Sequence, residues 1–255
     1  MTETAQPIYR EDGGRWHPSP QAAGPFGGLH GGGVSGLLVA GMERKAQQDG
    51  YGVALNAGVM FLRPAPMAPL ETRLSVIRAG GRVAVLENAL WVDDRLIARA
   101  TATFVAAIPE LPDEHVPIAA PAPCDPEPLP KLRFNTGLDH PSFFDALDLR
   151  DDGAGTKWGR LLRPVVDFPA PLAGTFAIAD NSQPFSILPA RRPRLRFPNI
   201  DITLHLSRRR EGEWIGVEAR SDWRTAGYGL TEAAVRDTTG PLGRSCQTIV
   251  LSPVK

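Results

Sequence analysis

The order of apolar and polar positions in the first half of the chain predicts one helix followed by long strands. The stretch "HGGGVSGLLVAGMERKAQQDG" has apolar residues at helical spacing, and Gly50 is its expected stop. Residues 56–63 and 70–107 then alternate between apolar and polar side chains, as half-buried strands do. The apolar positions of the helix are Val34, Leu37, Leu38 and Met42.

The second half follows the same plan with a weaker helix. Residues 173–190 are apolar enough for a helix, and Pro184 limits its length because proline lacks a backbone N–H. The segments 199–208 and 213–253 then alternate like strands. The pattern predicts a second helix followed by a second antiparallel meander.

Matching positions indicate that the two halves are an internal duplication. Asn56 matches Asn199 at an offset of 143 residues, and Arg99 matches Arg244 at an offset of 145 residues. Between the halves, residues 108–130 are dense in proline, which stiffens a chain and removes backbone donors. We therefore predict an N-terminal domain over 1–107, a linker over 108–130 and a C-terminal domain over 131–255.

Composition and charge exclude several classes of protein. The chain has 255 residues, 42% of them hydrophobic, and its 28 basic residues balance 28 acidic ones. This balance gives no general attraction to nucleic acid. No segment approaches the roughly 20 apolar residues of a membrane span, and we expect no secretory signal. The two cysteines, Cys124 and Cys246, suggest neither a disulfide framework nor a metal site, so we expect a reducing, cytoplasmic location.

The glycine-rich start of the first helix admits several interpretations. Gly31, Gly33 and Gly36 fit a dinucleotide-binding fingerprint, but the preceding residues are turn-rich and the following ones antiparallel. "HGGG" also occurs in oxyanion loops of α/β-hydrolases, yet this chain has no G-x-S-x-G elbow. Two interpretations stay open: the N–H groups of the helix start bind a ligand, or the glycines pack against a sheet without one.

The "GP…HGG" helix start, the glycine-tolerant helix and the meander resemble the hotdog fold. Two copies in one chain resemble the TesB-like double-hotdog acyl-CoA thioesterases, most clearly in "NIDITLHLSRR", the "D-x-x-G" turn and the final strand that carries a glutamine. The resemblance covers nearly the whole chain and is weakest over 131–172. It implies an α+β fold, a tandem hotdog in which each central helix is wrapped by a curved antiparallel sheet and the two sheets join edge to edge.

The resemblance also implies an activity: hydrolysis of acyl-CoA thioesters by a water molecule that an Asp, a hydroxyl residue and a Gln activate. On this sequence Asp201 and Gln247 fall on the Asp and Gln positions, and Ser221 is nearest to the hydroxyl position, with Arg220 as the other candidate. Asp180 is an alternative base, because single-hotdog thioesterases often carry their carboxylate on the helix.

The duplication predicts one site per chain. At the offsets above, Asp201 corresponds to Gly58 and Gln247 to Ala102, so the first half lacks both polar groups. That half would instead contribute its helix start, and we assign His30, Gly31 and Gly32 to substrate binding.

We expect no metal and no cofactor, since water serves as the nucleophile. Arginines near the CoA phosphates are predicted from charge alone, and a homo-oligomer of the double unit is expected by resemblance. These arginines are Arg63, Arg191 and Arg208 to Arg210.

Two rival functions stay open. A hydratase or dehydratase on the same fold would use an Asp/His pair, which His30 and Asp180 could form. A non-catalytic acyl-CoA-binding protein would fit the departure from the family's threonine at residues 220–221.

Overall fold

The fold consists of one large sheet with helices against its inner face. The computed structural model describes residues 5–109, 111, 116–134, 138–187 and 195–253, and element bounds below refer to these. The helices are α1 (Gly31–Asp49), α2 (Pro171–Ala179) and α3 (Ser182–Ile187). The strands are β1 (Tyr9–Asp12), β2 (Arg15–Pro18), β3 (Val53–Phe61), β4 (Glu71–Ala79), β5 (Val83–Val92), β6 (Arg95–Val105), β7 (Leu147–Asp151), β8 (Thr156–Leu161), β9 (Leu195–Arg196), β10 (Asp201–Leu206), β11 (Ile215–Arg224), β12 (Tyr228–Asp237), β13 (Gly240–Val250) and β14 (Ser252–Pro253).

Ten strands form a single antiparallel sheet in the order β4-β5-β6-β3-β10-β13-β12-β11-β8-β7. The two halves meet where β3 pairs with β10, and Gly58 lies opposite Thr203 in that pair. The two smaller sheets pair β1 with β2 and β9 with β14. This arrangement confirms the predicted α+β class, with the sheets of the two halves joined edge to edge.

The strand register supports the internal duplication and corrects its alignment. Gly58 pairs with Thr101 in the first half, and Thr203 pairs with Cys246 in the second, which places equivalent residues 145 positions apart in both strands. The offset of 143 that the sequence suggests for β3 and β10 is therefore wrong. The counterpart of Asp201 is Asn56, not Gly58.

An irregularity at the same place in both halves agrees with this offset. The pairing of β5 with β6 shifts between Leu90 and Trp91, and the pairing of β12 with β13 shifts between Val235 and Arg236. Each of these residues in the second half lies 145 positions after its counterpart. The repeats thus share a bulge as well as a topology, and bulges are positioned features of a sheet.

The second half has a hairpin that the strand pattern did not predict. Strands β7 and β8 pair with each other, and β8 continues the sheet beyond β11. Both strands lie within 131–172, where the family resemblance is weakest. In the first half, β1 and β2 form a hairpin of their own, which contacts the sheet near β4 through an isolated bridge between Trp16 and Leu70 and a hydrogen bond from Trp16 Nε1 to the Thr72 hydroxyl.

Helix α1 forms as the sequence predicts. His30 caps its start, because its Nδ1 accepts a hydrogen bond of 3.0 Å from the Gly32 N–H. Gly50 ends it in the left-handed conformation, at φ 72°. The predicted apolar positions Val34, Leu37, Leu38 and Met42 are all buried.

Two glycines of α1, Gly32 and Gly36, face α2. A β-carbon on Gly32 would lie 2.8 Å from the Ala177 carbonyl oxygen, so only glycine permits this approach of the two backbones. Buried apolar residues from α1, α2 and both halves of the sheet form one continuous core. The close packing explains why a helix with several glycines is stable here despite their low helix propensity.

The predicted helix over 173–190 is divided in the structure. Helix α2 ends at Ala179, and α3 starts at Ser182, so Asp180 and Asn181 form the junction; residues 188–190 lie outside the described part. At the other end of α2, Glu43 of α1 accepts hydrogen bonds from the N–H groups of Leu172 (2.9 Å) and Ala173 (3.0 Å). The first helix therefore caps the second.

The described part of the predicted linker runs along the C-terminal half. The N–H groups of Ala122 and Cys124 donate to the carbonyls of Thr239 and Thr238. Within the part of the chain described above, no helix combines the length and apolarity that crossing a membrane requires.

Candidate active site

A cavity of about 620 Å³ lies between the two halves. Its walls are mostly apolar and aromatic, and the phenylalanines among them are Phe26, Phe61, Phe134, Phe144 and Phe197. The polar side chains at its surface include His30, Asp180, Gln183 and Asn199, with Arg63 and Arg196 as its cations. Ligand sites commonly have this composition, an apolar pocket with a few convergent polar groups.

Asp180 is the carboxylate of this cavity. It follows α2 directly, and only 4% of its surface is exposed. Burial raises the pKa of its carboxyl to about 6, although the hydrogen bond from Asn199 and the nearby N–H of Gly32 lower it. A carboxylate with a pKa near 6 is ionised at neutral pH and basic enough to take a proton from water.

His30 lines the same cavity from the start of α1. Its ring stacks on Phe143 at 4.3 Å between centroids and meets the edge of Phe144. Burial lowers its pKa to about 3, so the imidazole is neutral at physiological pH. Since Nδ1 accepts a hydrogen bond from Gly32, the ring proton is on Nε2, which leaves this N–H free to donate.

His30 and Asp180 meet across the two halves. His30 Nδ1 lies 3.4 Å from Asp180 Oδ2. With a neutral imidazole this is not an ion pair, and it is not a hydrogen bond either, because Nδ1 carries no proton in this tautomer. The Gly31 backbone lies beside the carboxylate, since a β-carbon there would lie 2.8 Å from Oδ2, and the Gly32 N–H also interacts with the carboxylate. Of the three predicted substrate-binding residues, His30 and Gly31 line the cavity, while the Gly32 N–H caps the helix through His30.

Gln247 lies on the inner face of β13, next to the C-terminal end of α2. Its side chain is buried, and Nε2 donates to the carbonyl of Ala179 at 3.1 Å. Its Oε1 is also buried and has no hydrogen-bond partner among the described residues. A buried acceptor without a partner is rare in folded proteins and suits a bound water or ligand.

A row of hydroxyl groups lies beside Gln247 on the same face. Thr231 pairs with Gln247 on one side and with Ser221 on the other. The Ser221 hydroxyl lies 2.7 Å from that of Thr231 and 2.6 Å from that of Ser186 in α3. Arg220, the other candidate for the hydroxyl position, is exposed on the opposite face of β11.

Asp201 lies outside this site. Ile202 and Leu204 of the same strand are buried on the inner face, so alternation directs Asp201 to the outer face. There its carboxylate accepts hydrogen bonds from the N–H (2.6 Å) and hydroxyl (3.0 Å) of Thr248. The structure does not bring Asp201 together with Gln247, which is on the other face.

The predicted CoA-binding arginines divide into separate groups. Arg63 lines the cavity, and Arg191 lies outside the described residues. Arg208 instead forms a bidentate ion pair with the buried Asp237, at 2.6 and 2.7 Å. Arg196 lines the cavity but was not among the arginines predicted from the sequence.

Sequence reasoning also missed the roles of Asn199, Gln183 and Phe143. Asn199 served only to align the repeats, and the segment that contains Phe143 matched the family weakly. The sequence does mark the residue around which they lie, because Asp180 is the only charged residue in the apolar stretch 172–187. Among the described residues, no group of three or more His, Cys, Asp and Glu side chains is arranged to hold a metal ion.

Two family models match the chain, one for each half. Residues 19–105 match the acyl-CoA thioesterase N-terminal domain, and residues 113–251 match the acyl-CoA thioesterase C-terminal domain. No curated protein matches the sequence.

Solved structures share the fold at low sequence identity. A tesB protein from Mycobacterium avium subspecies paratuberculosis has a TM-score of 0.67 at 17% identity, with 95% of each chain covered. An acyl-CoA thioesterase II from Mycobacterium marinum has a TM-score of 0.65 at 20% identity, over 90% of this chain and 91% of that one. A hotdog-fold protein from Alicyclobacillus acidocaldarius has a TM-score of 0.66 at 19% identity, over 96% of each chain.

Proposed function

The chain belongs to the acyl-CoA thioesterase family, and we propose that it hydrolyses acyl-CoA thioesters with a water molecule activated by Asp180 in the cavity between its halves. The family and the hotdog fold expected from the sequence are confirmed. The proposal places the base at Asp180 instead of Asp201. The observation that carries it is the burial of Asp180 in an apolar cavity, 3.4 Å from a neutral histidine of the other half.

The Asp180 carboxylate takes a proton from water as the water oxygen attacks the thioester carbon. The carbonyl oxygen gains negative charge in this step. The Nε2–H of His30 and the N–H of Gly31, which has no acceptor within its own helix, are the donors proposed to stabilise it. When the tetrahedral intermediate collapses, the carbon–sulfur bond breaks and protonated Asp180 returns the proton to the departing thiolate.

Gln247 and the hydroxyl row would supply further polar groups near the end of α2, although they are not among the residues that line the cavity. An amide both donates and accepts, so the unpartnered Oε1 of Gln247 is suited to accept a hydrogen bond from the attacking water. Ser221, beside Thr231, supplies the hydroxyl nearest in sequence to the position expected for the family's threonine. This hydroxyl weakens the argument for a non-catalytic acyl-CoA-binding protein.

The acyl group and the pantetheine arm would occupy the apolar cavity. Its phenylalanine-rich wall excludes water from a thioester and strengthens the electrostatic interactions of the buried polar groups. Arg196 and Arg63 carry positive charge at the same cavity and would attract the phosphates of CoA.

A single-turnover reaction in ¹⁸O-labelled water tests the proposed route. With enzyme in excess over an acyl-CoA, direct attack by water places the label in the released carboxylic acid in the first turnover. Attack by Asp180 itself would form an anhydride, and hydrolysis of that anhydride at the aspartyl carbonyl would put the label in Asp180 and leave the first acid unlabelled. A label-free acid, or the absence of free thiol with every acyl chain length, would contradict the proposal.

A second candidate function rests on the same contact. The close approach of His30 and Asp180 is also the arrangement that a hydratase or dehydratase needs. Adding an enoyl-CoA and following both the double bond and the free thiol separates the two. Loss of the double bond without thiol release would favour the hydratase.

A further inference from the structure

Asn199 is the polar side chain that holds Asp180. Its Nδ2 donates to Asp180 Oδ1 at 2.8 Å and to the Asp201 carbonyl at 3.1 Å. The two acceptors use both hydrogens of the amide. The orientation of the amide is therefore fixed by the backbone on one side and directed at the carboxylate on the other.

The position of Asn199 in the fold makes this contact rigid. The residue lies two positions before the start of β10, and its backbone forms an isolated bridge with Ile249 of β13. Its side chain lines the cavity together with Asp180. The central strands of the sheet thus place a hydrogen-bond donor, the Asn199 amide, at the C-terminal end of α2.

The contact divides the two carboxylate oxygens of Asp180 between different tasks. Oδ1 is occupied by Asn199, whereas Oδ2 faces His30 and the backbone of Gly31. A hydrogen bond from a neutral amide favours the ionised form of a carboxylate, which burial in an apolar cavity disfavours. Asn199 therefore opposes the effect of burial at the proposed base.

We propose that Asn199 is a positioning residue, which fixes one oxygen of the Asp180 carboxylate, keeps the group ionised and leaves the second oxygen to take the proton from water. The proposal rests on the proposed function, in which Asp180 is the base. Asn199 itself touches neither the water nor the thioester.

Among the described residues, few other ionisable groups face Asp180. His30 of α1 is neutral, and the cations that line the cavity in this part of the chain are Arg63 and Arg196. Asp201 of β10 and Cys246 of β13 lie on the outer face of the sheet, because the residues next to them in each strand are buried on the inner face. The hydrogen bond from Asn199 is the largest influence that lowers the Asp180 pKa.

The test compares pH profiles of kcat/KM for wild type, Asn199→Leu and Asn199→Asp. Leucine removes the donor, and we expect the acidic limb to move up by about one pH unit, the value of one charge-assisted hydrogen bond. Aspartate replaces the donor with a like charge, and we expect its limb to move further. A merely structural role would lower activity at every pH without this order of shifts.

Asn56→Leu is the matched control. Asn56 lies in the adjoining strand at the junction of the halves, its Nδ2 contacts His205, and it does not line the cavity. We expect its profile to match that of the wild type. A shift in Asn56→Leu as large as that in Asn199→Leu would overturn the proposal.

A second readout does not depend on activity. In protein labelled with ¹³C at the aspartate carboxyls, the signal absent from Asp180→Asn reports the titration of Asp180. If the Asp180 pKa rises in both Asn199 variants, Asn199 stabilises the ionised carboxylate. This result would stand even if the wild type releases no thiol and the proposed function fails. An unchanged titration in both variants would overturn the inference whether or not the enzyme is active.

Discussion

His30 Nδ1 lies 3.4 Å from Asp180 Oδ2, and the two residues belong to different halves of the chain. His30 starts the helix of the first repeat, and Asp180 ends the helix of the second. The two repeats thus contribute different groups to the candidate site. In the proposed mechanism, the first repeat supplies a donor to the oxyanion and the second supplies the base.

Replacing His30 tests its proposed N–H donor. Serine at this position keeps a side-chain oxygen to cap α1, so His30→Ser removes the ring but retains the cap. We expect kcat to fall by about 100-fold, the usual effect of losing one donor to a developing oxyanion. Steady-state kinetics beside a thermal melt check this, and a kcat within two-fold of wild type would rule out the donor role.

Gly31→Ala probes the space beside the carboxylate. The added β-carbon would lie 2.8 Å from Asp180 Oδ2 and must displace it. We expect kcat/KM to fall about ten-fold, because small misplacements of a reacting group are costly. Gly81→Ala is the control, since a β-carbon there meets nothing within 4 Å. Equal activities in the two variants would show that Oδ2 is not the reacting oxygen.

We expect Arg196 and Arg208 to have separable effects, the first on the binding of acyl-CoA and the second on the stability of the fold. Arg196→Gln should raise KM for acyl-CoA about five-fold, roughly 1 kcal/mol, and reduce the salt dependence of KM. Arg208→Gln should leave KM unchanged and destabilise the protein by about 3 kcal/mol, because it leaves the buried Asp237 without its ion pair. Kinetics at two ionic strengths and urea unfolding measure the two effects. A KM that rises only in Arg208→Gln would reverse the assignment.

We expect the buried Glu43 carboxyl to make the stability of the protein depend on pH. Burial raises its pKa to about 7 in the folded protein, above the 4.5 of the unfolded chain, despite its bonds to two backbone N–H groups. Its contribution is therefore fully present below pH 4.5 and is lost as pH rises through about 7. We expect the free energy of unfolding of wild type, relative to Glu43→Gln, to fall by about 2 kcal/mol over that range. A constant difference between the two proteins would contradict this.

The fold was largely predictable because it follows from periodicity. Helical spacing from Val34 to Met42 and alternation in the strands depend on local sequence, and both repeats carry them. The hairpin of β7 and β8 was missed, since its short strands lie in a segment that resembled the family least. The offset between the repeats is wrong in the first strand, because the match of Asn56 with Asn199 suggests an alignment that the strand pairing does not support.

The site was only partly predictable. Gln247 and Ser221 lie on the inner face of the sheet, but Asp201 does not, although the buried Ile202 and Leu204 around it already indicate an outward position. Family resemblance along one strand outweighed that alternation. The contact between Asp180 and Asn199 joins a helix end to a strand start, and no local pattern encodes such a contact.

We propose Asp180, and not Asp201, as the base. The direct measurement is kcat/KM for thiol release from acyl-CoA by Asp180→Asn and Asp201→Asn, each shown to be folded. Both changes remove one carboxylate with almost no change in volume. We predict a loss of 100-fold to about 10,000-fold in Asp180→Asn, the range for general-base catalysis, and near wild-type activity in Asp201→Asn. Activity kept by Asp180→Asn and lost by Asp201→Asn would contradict the account.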